Sequence, residues 1–227
     1  MHPKERMVHR LIILGKSGNA GDILDIVESI NRQGTSWNVK GLLDDTSAAG
    51  TKYLGLDVLG PLSSALDFGS DCVFLNAIGS AKSYRQRCAI VSSMKLSSDR
   101  FATLVHSQAS ISTGSKLGYG VCAGAGVCVA RNVSIGDHVW LGAGCIIGHD
   151  TVIGDHCVVA PGAVISGFVR VGSSCYLGAH SVIRHGLEVG NMALVGMGAV
   201  VTRNVPLAET VTGNPARRHT LANRKHS

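Results

Sequence analysis

Hydrophobic residues recur at every sixth position through the second half of the chain. From residue 105 to residue 201 this position holds Val, Ile or Leu in sixteen of seventeen cases, and Ala123 is the exception. A small or β-branched residue precedes most of them by two positions, and glycine usually follows directly. A strand of period two or a helix of period about 3.6 would not stay in phase over this length. The pattern therefore predicts a parallel β-helix of hexapeptide units, three to a triangular coil.

Stacking must stabilise such a coil, because no single unit can bury its own apolar face. We expect each aliphatic side chain to point into the prism and to stack on its counterpart eighteen residues away. We expect the glycine that follows to supply the corner dihedrals, some with positive φ, which favour a residue without a Cβ. The pattern places the β-helix domain at residues 101–203 and a C-terminal tail at residues 204–227.

Residues 10–100 lack the six-residue repeat; their apolar runs and helical spacings alternate along the chain, which predicts a small Rossmann-like domain. Apolar runs predict strands at residues 11–14, 39–43 and 72–78, and helical spacing predicts helices at residues 22–32 and around residues 84–94. The first strand leads into the turn Gly15-Lys16-Ser17-Gly18-Asn19-Ala20-Gly21, and the second ends in Asp44-Asp45. This turn differs from the G-x-G-x-x-G dinucleotide fingerprint. It favours phosphate binding at a helix N-terminus, with the carboxylates near a ribose or base; an ordinary glycine-rich turn with solvated aspartates is the alternative.

Composition narrows the class of protein. Only 16% of the residues are charged and 4% are aromatic, which suits a narrow prism. No apolar stretch approaches the roughly eighteen residues of a membrane span, and residues 1–10 are polar rather than a secretory signal. The seven cysteines show no C-x-x-C spacing, so we expect reduced thiols in a cytoplasmic protein. The net charge of +6 lies largely in the tails and has no aromatic interleaving, which favours phosphorylated small ligands over nucleic acid.

One histidine stands out among the ten. His149 follows the glycine of its hexapeptide, at a corner from which its side chain projects outward, and Asp150 stands beside it. A neutral imidazole can take the proton of an attacking amine, and a neighbouring carboxylate can hold the ring in one tautomer. His138 and His156 lie on coil turns outside this register, and for His106, His180 and His185 a solvated surface position is the expectation.

Several motifs give the chain a family resemblance. They are Ile12-Ile13-Leu14-Gly15-Lys16-Ser17-Gly18, Leu43-Asp44-Asp45, Ile147-Gly148-His149-Asp150 and Gly213-Asn214-Pro215-Ala216-Arg217. With these motifs the chain resembles the sialic-acid O-acetyltransferase family, which includes N-acetyltransferases of UDP- or dTDP-linked 4-amino-4,6-dideoxysugars. The resemblance implies a left-handed β-helix, a homotrimer with active sites between adjacent prisms, and acetyl-CoA as the donor.

The resemblance also assigns residues. It makes His149 the base and places the Gly167 N–H, one coil later, at the thioester carbonyl as oxyanion donor. It lays the pantetheine arm of acetyl-CoA along Gly167, Ala179 and Met197, for which coil filler is the alternative. For the nucleotide sugar it implies a further set: Gly15, Ser17, Gly18 and Asn19 around the phosphate, Asp44 and Asp45 near the base and ribose, and Gly79 lining the pocket.

Two positions depart from the family pattern, and two others have more than one possible role. Asn19 stands where family members often carry His, and Val158 where some amino-sugar acetyltransferases place a His. Arg217 and Arg218 are candidates for the CoA phosphates, or simply part of a solvated basic tail.

Three functions follow from this reading. The first is N-acetylation of the 4-amino group of a nucleotide-linked 4-amino-4,6-dideoxysugar in surface-glycan biosynthesis, with O-acetylation of a sialic-acid-type sugar as its nearest rival. The second is a non-catalytic trimer that binds sugar nucleotides. The third, a zinc-dependent hydratase, would need converging histidines, and His138, His149 and His156 do not share one register, so we expect no metal.

Overall fold

A five-stranded sheet organises the N-terminal domain. The computed structural model describes residues 8–219. The sheet contains β1 (Val8–Leu14), β2 (Ser36–Leu43), β3 (Lys52–Tyr53), β4 (Leu56–Gly60) and β5 (Cys72–Asn76). The helices are α1 (Gly18–Arg32) and α2 (Arg87–Ser93), with short 3₁₀ helices at Leu62–Asp67, Tyr84–Gln86 and Ser98–Arg100.

The strand order is that of a Rossmann-like half. The sheet runs β3-β4-β2-β1-β5, and all its pairs are parallel except β3 with β4. Since β2 and β5 flank β1 on opposite sides, the chain reverses its direction of winding at β1, and a crevice opens at the carboxyl ends of β1 and β5. The predicted α/β class of this domain is confirmed.

Helix α1 begins earlier than predicted. It starts at Gly18, inside the glycine-rich turn, and Ser17 occupies the N-cap with extended backbone. Glycine has a low helix propensity, so the sequence pattern placed the start at residue 22. The apolar face of α1, with Ile23 and Ile26 fully or almost fully buried, overrides that propensity by packing on the sheet.

Seventeen two-residue strands then form the coils of the β-helix. They are β6 (Leu104–Val105), β7 (Ser110–Ile111), β8 (Lys116–Leu117), β9 (Cys122–Ala123), β10 (Cys128–Val129), β11 (Ser134–Ile135), β12 (Trp140–Leu141), β13 (Ile146–Ile147), β14 (Val152–Ile153), β15 (Val158–Val159), β16 (Val164–Ile165), β17 (Arg170–Val171), β18 (Tyr176–Leu177), β19 (Val182–Ile183), β20 (Glu188–Val189), β21 (Leu194–Val195) and β22 (Val200–Val201). Two further strands, β23 (Thr210–Thr212) and β24 (Arg217–Arg218), continue one of the sheets.

The interior follows the predicted six-residue period. Each strand pairs in parallel with the strand eighteen residues away, as Ile147 does with Val129 and Ile165. The periodic aliphatic residues are buried from residue 123 onward, whereas Val105, Ile111 and Leu117 are only partly buried, since they belong to the first coil, which stacks on one side only. The predicted left-handed parallel β-helix is confirmed.

The reason expected for the periodic glycines was wrong. Positive φ occurs three residues after the aliphatic position, at Gly144 and Gly162 but equally at Asp150 and His156. The glycine directly after the aliphatic residue is needed for close approach instead. A Cβ on Gly148, for example, would lie 2.4 Å from the backbone nitrogen of the residue nineteen positions later, in the next coil.

The prism presents three outer faces of different character. The covered face, built on β12, β15 and β18, carries Trp140, Val158 and Tyr176 and packs under the N-terminal domain. The polar face presents mostly hydrophilic residues: Lys116, Ser134, Val152, Arg170 and Glu188. The apolar face presents Ser110 and then a stripe of apolar residues: Cys128, Ile146, Val164, Val182 and Val200.

Residues 8–219 contain no helix long and apolar enough to cross a membrane. All seven cysteines are free thiols.

Candidate active site

A histidine–aspartate pair projects from the corner between the apolar and polar faces, which we call the His149 corner (residues 148–151 and their counterparts in neighbouring coils). The Nδ1–H of His149 donates to Oδ2 of Asp150 over 2.8 Å. Because a carboxylate only accepts, this bond places the ring hydrogen of neutral His149 on Nδ1. The Nε2 lone pair is then free to take a proton, and the side chain is 56% exposed.

The Asp150 carboxylate is held by two donors. Besides His149, Asn132 Nδ2, one coil earlier, donates to Oδ1 over 3.2 Å. The hydrogen bond from His149, followed by that from Asn132, lowers the pKa of Asp150 below its usual value. The carboxylate therefore stays ionised near neutrality and can stabilise the imidazolium that forms on proton uptake.

Gly167 lies directly beside the imidazole of His149. A Cβ on Gly167 would be 3.0 Å from both Nε2 and Cε1 of His149, so only glycine leaves a notch at this point. Within the described residues the Gly167 N–H makes no hydrogen bond. An imidazole nitrogen that is free to take a proton and an unused N–H donor thus meet at one notch, and such a pair can serve acyl transfer.

Sequence reasoning missed the aromatic wall of this notch. The ring of Phe168 lies edge-to-face with His149, with centroids 5.2 Å apart, and 5.2 Å from the ring of His185. His149, Gly167 and His185 repeat at eighteen-residue steps, so the signal for His185 was present in the spacing. His185 is exposed, as expected, but it belongs to the same corner as His149.

The crevice of the N-terminal domain contains all seven predicted nucleotide-sugar residues. They line one cavity of about 480 Å³: Gly15, Ser17, Gly18, Asn19, Asp44, Asp45 and Gly79. The cavity opens at the carboxyl ends of β1 and β5, where the N-terminus of α1 points its amides inward. This position suits a phosphate, since free N–H groups and the helix dipole both favour an anion there.

The polar side chains of the cavity are already engaged with the protein. Asp44 accepts from the Lys16 N–H over 2.8 Å and from the Thr46 N–H and hydroxyl over 2.9 and 2.6 Å. Burial alone would raise the pKa of Asp44, but the hydrogen bonds from Thr46 and Lys16 outweigh it and lower the pKa. Asp45 accepts from the Leu62 N–H through Oδ1, and its exposed side chain lines the cavity. Asp44 thus organises the loop, and Asp45 is the better placed of the two to contact a ligand.

Ser17 and Asn19 fasten the start of α1 to the neighbouring strand. Ser17 Oγ and Asn19 Nδ2 both donate to the carbonyl of Ala77, over 2.8 and 2.9 Å. The amide of Asn19 is therefore used to hold the α1 turn against the segment after β5. Ligand contacts in this turn fall to the backbone N–H groups.

A buried arginine lies beneath the cavity and was not expected from the sequence. Arg87 is 1% exposed, and its guanidinium donates to the carbonyls of Ile78 and His138, linking the cavity wall to the β-helix. No carboxylate pairs with it among residues 8–219. Burial lowers the pKa of Arg87 to about 10, so it remains a cation at neutral pH. An anion in the cavity would partly offset this buried charge.

Two histidines stack at the corner below Arg87, which we call the His138 corner (residues 136–139 and 154–157). The rings of His138 and His156 are parallel to within 6°, with centroids 5.0 Å apart. His138 is buried, and burial followed by His156 lowers its pKa to about 4. These residues are eighteen apart, so the spacing in the sequence already carried this pairing. Among residues 8–219, no group of three or more His, Cys, Asp or Glu side chains converges as metal ligands.

The predicted acetyl-CoA residues do not all come together within one chain. Ala179 and Met197 lie at the third corner, between the covered and apolar faces, away from His149 and Gly167. Met197 is 82% exposed. A second cavity, of about 230 Å³, opens near this corner between α1 and the coils, with Asp22, Trp140 and Pro161 in its lining. At the end of the chain, Arg218 pairs with Glu209 over 3.0 Å. Arg224 and Lys225, part of the predicted basic tail, lie outside the described residues.

Comparisons with known proteins agree with the fold. Residues 132–167 match the bacterial transferase hexapeptide (six repeats), and residues 168–203 match the hexapeptide repeat of succinyl-transferase. No curated protein matches the chain.

Several solved structures are similar over nearly the whole chain. PerB from Caulobacter crescentus, in complex with CoA and GDP-perosamine, is 27% identical with a TM-score of 0.78, covering 92% of this chain and 97% of that one. WeeI from Acinetobacter baumannii is 26% identical with a TM-score of 0.77, covering 92% and 99%. The acetyltransferase domain of PglB from Neisseria gonorrhoeae, 24% identical with a TM-score of 0.79 over 93% and 100%, supports the fold.

Proposed function

We propose that this chain, a hexapeptide-repeat acyltransferase, transfers an acetyl group from acetyl-CoA to the 4-amino group of a nucleotide-linked 4-amino-4,6-dideoxysugar. The observation that carries the proposal is the notch at the His149 corner, where a free Nε2 lone pair and a free Gly167 N–H lie side by side. A relative of the same fold has been solved with CoA and GDP-perosamine, which supports this class of donor and acceptor.

The geometry suggests how the reaction would proceed. The sugar amine attacks the thioester carbonyl carbon, and His149 Nε2 takes the proton that the amine loses as the N–C bond forms. The Gly167 N–H stabilises the oxygen of the tetrahedral intermediate. The C–S bond then breaks, and the proton passes from His149 to the leaving CoA thiolate. Asp150 holds the imidazole at Nδ1 throughout.

A homotrimer would complete the site. The apolar face separates the His149 corner from the corner that carries Ala179 and Met197. If three prisms turn their apolar faces toward a common axis, the His149 corner of one subunit meets the third corner of the next, which carries Ala179 and Met197. Acetyl-CoA would then bind between prisms, and the nucleotide-sugar cavity of one subunit would face the His149 of its neighbour.

The acceptor would be anchored through its nucleotide. The phosphates would bind at the α1 N-terminus, Asp45 and the Gly79 segment would contact the nucleoside, and the charge of Arg87 would favour the anion. Binding energy from the nucleotide can position the amine for attack.

Acetyl-transfer kinetics would test the acceptor. We would compare kcat/KM for UDP-, dTDP- and GDP-linked 4-amino-4,6-dideoxysugars with that for the free amino sugar and free sialic acid. We expect at least one nucleotide sugar to exceed the free sugars by roughly a thousandfold, at about 1.4 kcal/mol per factor of ten. Comparable turnover of the free sugars would contradict the proposal, and preference for sialic acid would favour O-acetylation.

A substitution of Asp44 tests whether the cavity of the N-terminal domain binds the nucleotide sugar. Asp44→Ala removes the anchor of the Lys16–Thr46 loop and should raise KM for the nucleotide sugar while leaving KM for acetyl-CoA nearly unchanged. Asp67→Ala, which removes an exposed carboxylate of the same domain, is the control.

A further inference from the structure

We propose that Phe168 forms the wall of the acyl subsite and restricts the enzyme to short acyl groups. This inference rests on the proposed acyl transfer at the His149 corner and adds a residue that determines donor specificity. It concerns the acyl chain of the donor, not the acceptor.

The first observation is the position of the ring. Phe168 follows Gly167 directly, and its ring lies between the imidazoles of His149 and His185, 5.2 Å from each. These two histidines are two coils apart on one corner, and Gly167 occupies the coil between them without a side chain. The aromatic ring therefore closes one side of the notch that Gly167 leaves open.

The second observation is the backbone conformation. Phe168 has φ +59°, in the left-handed region where bulky residues are genuine outliers. Glycine occupies the equivalent position in several other coils, including Gly186 on the same corner. The ring is 52% exposed and contributes nothing to the interior of the prism. Because every corner from residue 120 to residue 198 has positive φ at this position, the distinguishing feature of Phe168 is its exposed aromatic ring beside the candidate base His149, and this ring points to a contact with ligand.

The location of the reacting carbon identifies that ligand group. A thioester carbon that contacts both the Gly167 N–H and the nucleophile deprotonated by His149 must lie at the mouth of the notch. The acyl chain extends from this carbon and has the residue after Gly167 as its neighbour. An acetyl methyl fits beside the ring, whereas each added methylene must displace it.

Binding of a series of CoA thioesters tests the inference without any acceptor. Calorimetry with acetyl-, propionyl-, butyryl- and hexanoyl-CoA, and with CoA itself, would give the dependence of Kd on acyl length. In the wild-type protein we expect affinity to fall from acetyl to butyryl. In Phe168→Gly, which relieves the backbone strain and opens the wall, the ratio of butyryl to acetyl Kd should fall by about tenfold or more, since one methylene can be worth 10–200-fold.

Two variants serve as controls. Phe168→Tyr keeps the ring and should keep the wild-type acyl profile. Met192→Gly replaces another exposed apolar residue with positive φ, on the same corner as His138 and two coils beyond His156. This variant should leave the dependence of Kd on acyl length unchanged. The thermal midpoint of Phe168→Gly should equal or exceed that of the wild type, which separates loss of the wall from loss of folding.

The outcomes distinguish the two proposals. An unchanged acyl-length profile in Phe168→Gly, with normal acetyl-CoA binding, would overturn this inference alone. Failure of the wild-type protein to bind any CoA thioester would overturn the proposed function together with this inference.

Discussion

At the scale of single residues, the candidate site depends on how one imidazole is oriented. His149 is largely exposed, so packing alone does not fix its ring. Asp150 holds Nδ1 from one side, and Phe168 contacts the ring edge-to-face from another. Together they direct Nε2 toward the notch at Gly167.

Replacing His149 by alanine should lower kcat by about 10²–10⁴-fold, the usual contribution of a general base. The fold should be retained because the side chain is exposed, and circular dichroism and the thermal midpoint would verify this. His9→Ala removes another exposed histidine, far from this corner, and is the control. Near-normal turnover of a folded His149→Ala protein would show that another group is the base.

Asp150→Asn should reduce kcat less than His149→Ala does. The amide keeps a hydrogen-bond acceptor for Nδ1–H but removes the negative charge that stabilises the imidazolium. A larger loss than that of His149→Ala would contradict the supporting role assigned to Asp150.

At the scale of structural elements, the stacked histidines of the His138 corner should make stability depend on pH. His138 faces His156 in the next coil, the aromatic ring of Phe101, the buried cation Arg87, and the carboxylates of Asp137 and Asp155. Its pKa in the folded chain is about 4, whereas the unfolded chain would protonate it near 6.5. Between these values only the unfolded state binds the proton, so stability should fall as the pH falls through this window.

The expected loss from this group is up to about 3 kcal/mol in the free energy of unfolding between pH 7 and pH 4. Urea unfolding at several pH values would measure it. His138→Asn, in which the new residue tolerates positive φ, should flatten the slope, whereas His9→Ala should not. Equal slopes for His138→Asn and the wild-type protein would refute the assignment.

The coils could be predicted from the repeat, because every unit buries an aliphatic side chain at the same position inside the prism. The positive-φ position was assigned to the wrong residue, since Asn, Asp and His occupy it as readily as glycine does. Turn chemistry at the ends of β1 and β2 pointed to a phosphate and nucleoside site, and the family resemblance supplied the individual cavity residues, including Gly79 after β5. Arg87 and Phe168 could not be identified, because their surroundings come from distant segments: Arg87 bridges Ile78 and His138, and Phe168 lies between two other coils.

At the scale of the whole molecule, the three faces of the prism differ in character. The N-terminal domain covers one face, and the mostly hydrophilic residues of the polar face favour contact with solvent. The apolar face presents an exposed stripe in which Ile146 is 47% accessible. A contiguous apolar surface of this kind indicates an interface between proteins.

If the protein is the proposed trimer, Ile146→Glu should convert it into monomers and lower activity, because the two corners of the proposed cleft would separate. Sedimentation equilibrium would measure the assembly state. Ser134→Glu places the same charge on the polar face and should leave the trimer intact. A fully active monomer would contradict a site shared between subunits.

The eighteen-residue coil also limits how the length of this chain can change. An insertion of one complete coil before His149 would move this residue about 4.8 Å along the prism axis, the spacing of paired strands, and leave it on the same corner. An insertion of six residues would keep every aliphatic residue inside but would move His149, together with Gly167 one coil later, to a different corner relative to the N-terminal domain. Whole coils can thus be gained or lost between the nucleotide cavity and His149 without changing the corner on which His149 lies. The distance between the cavity and His149 then changes only in steps of one coil.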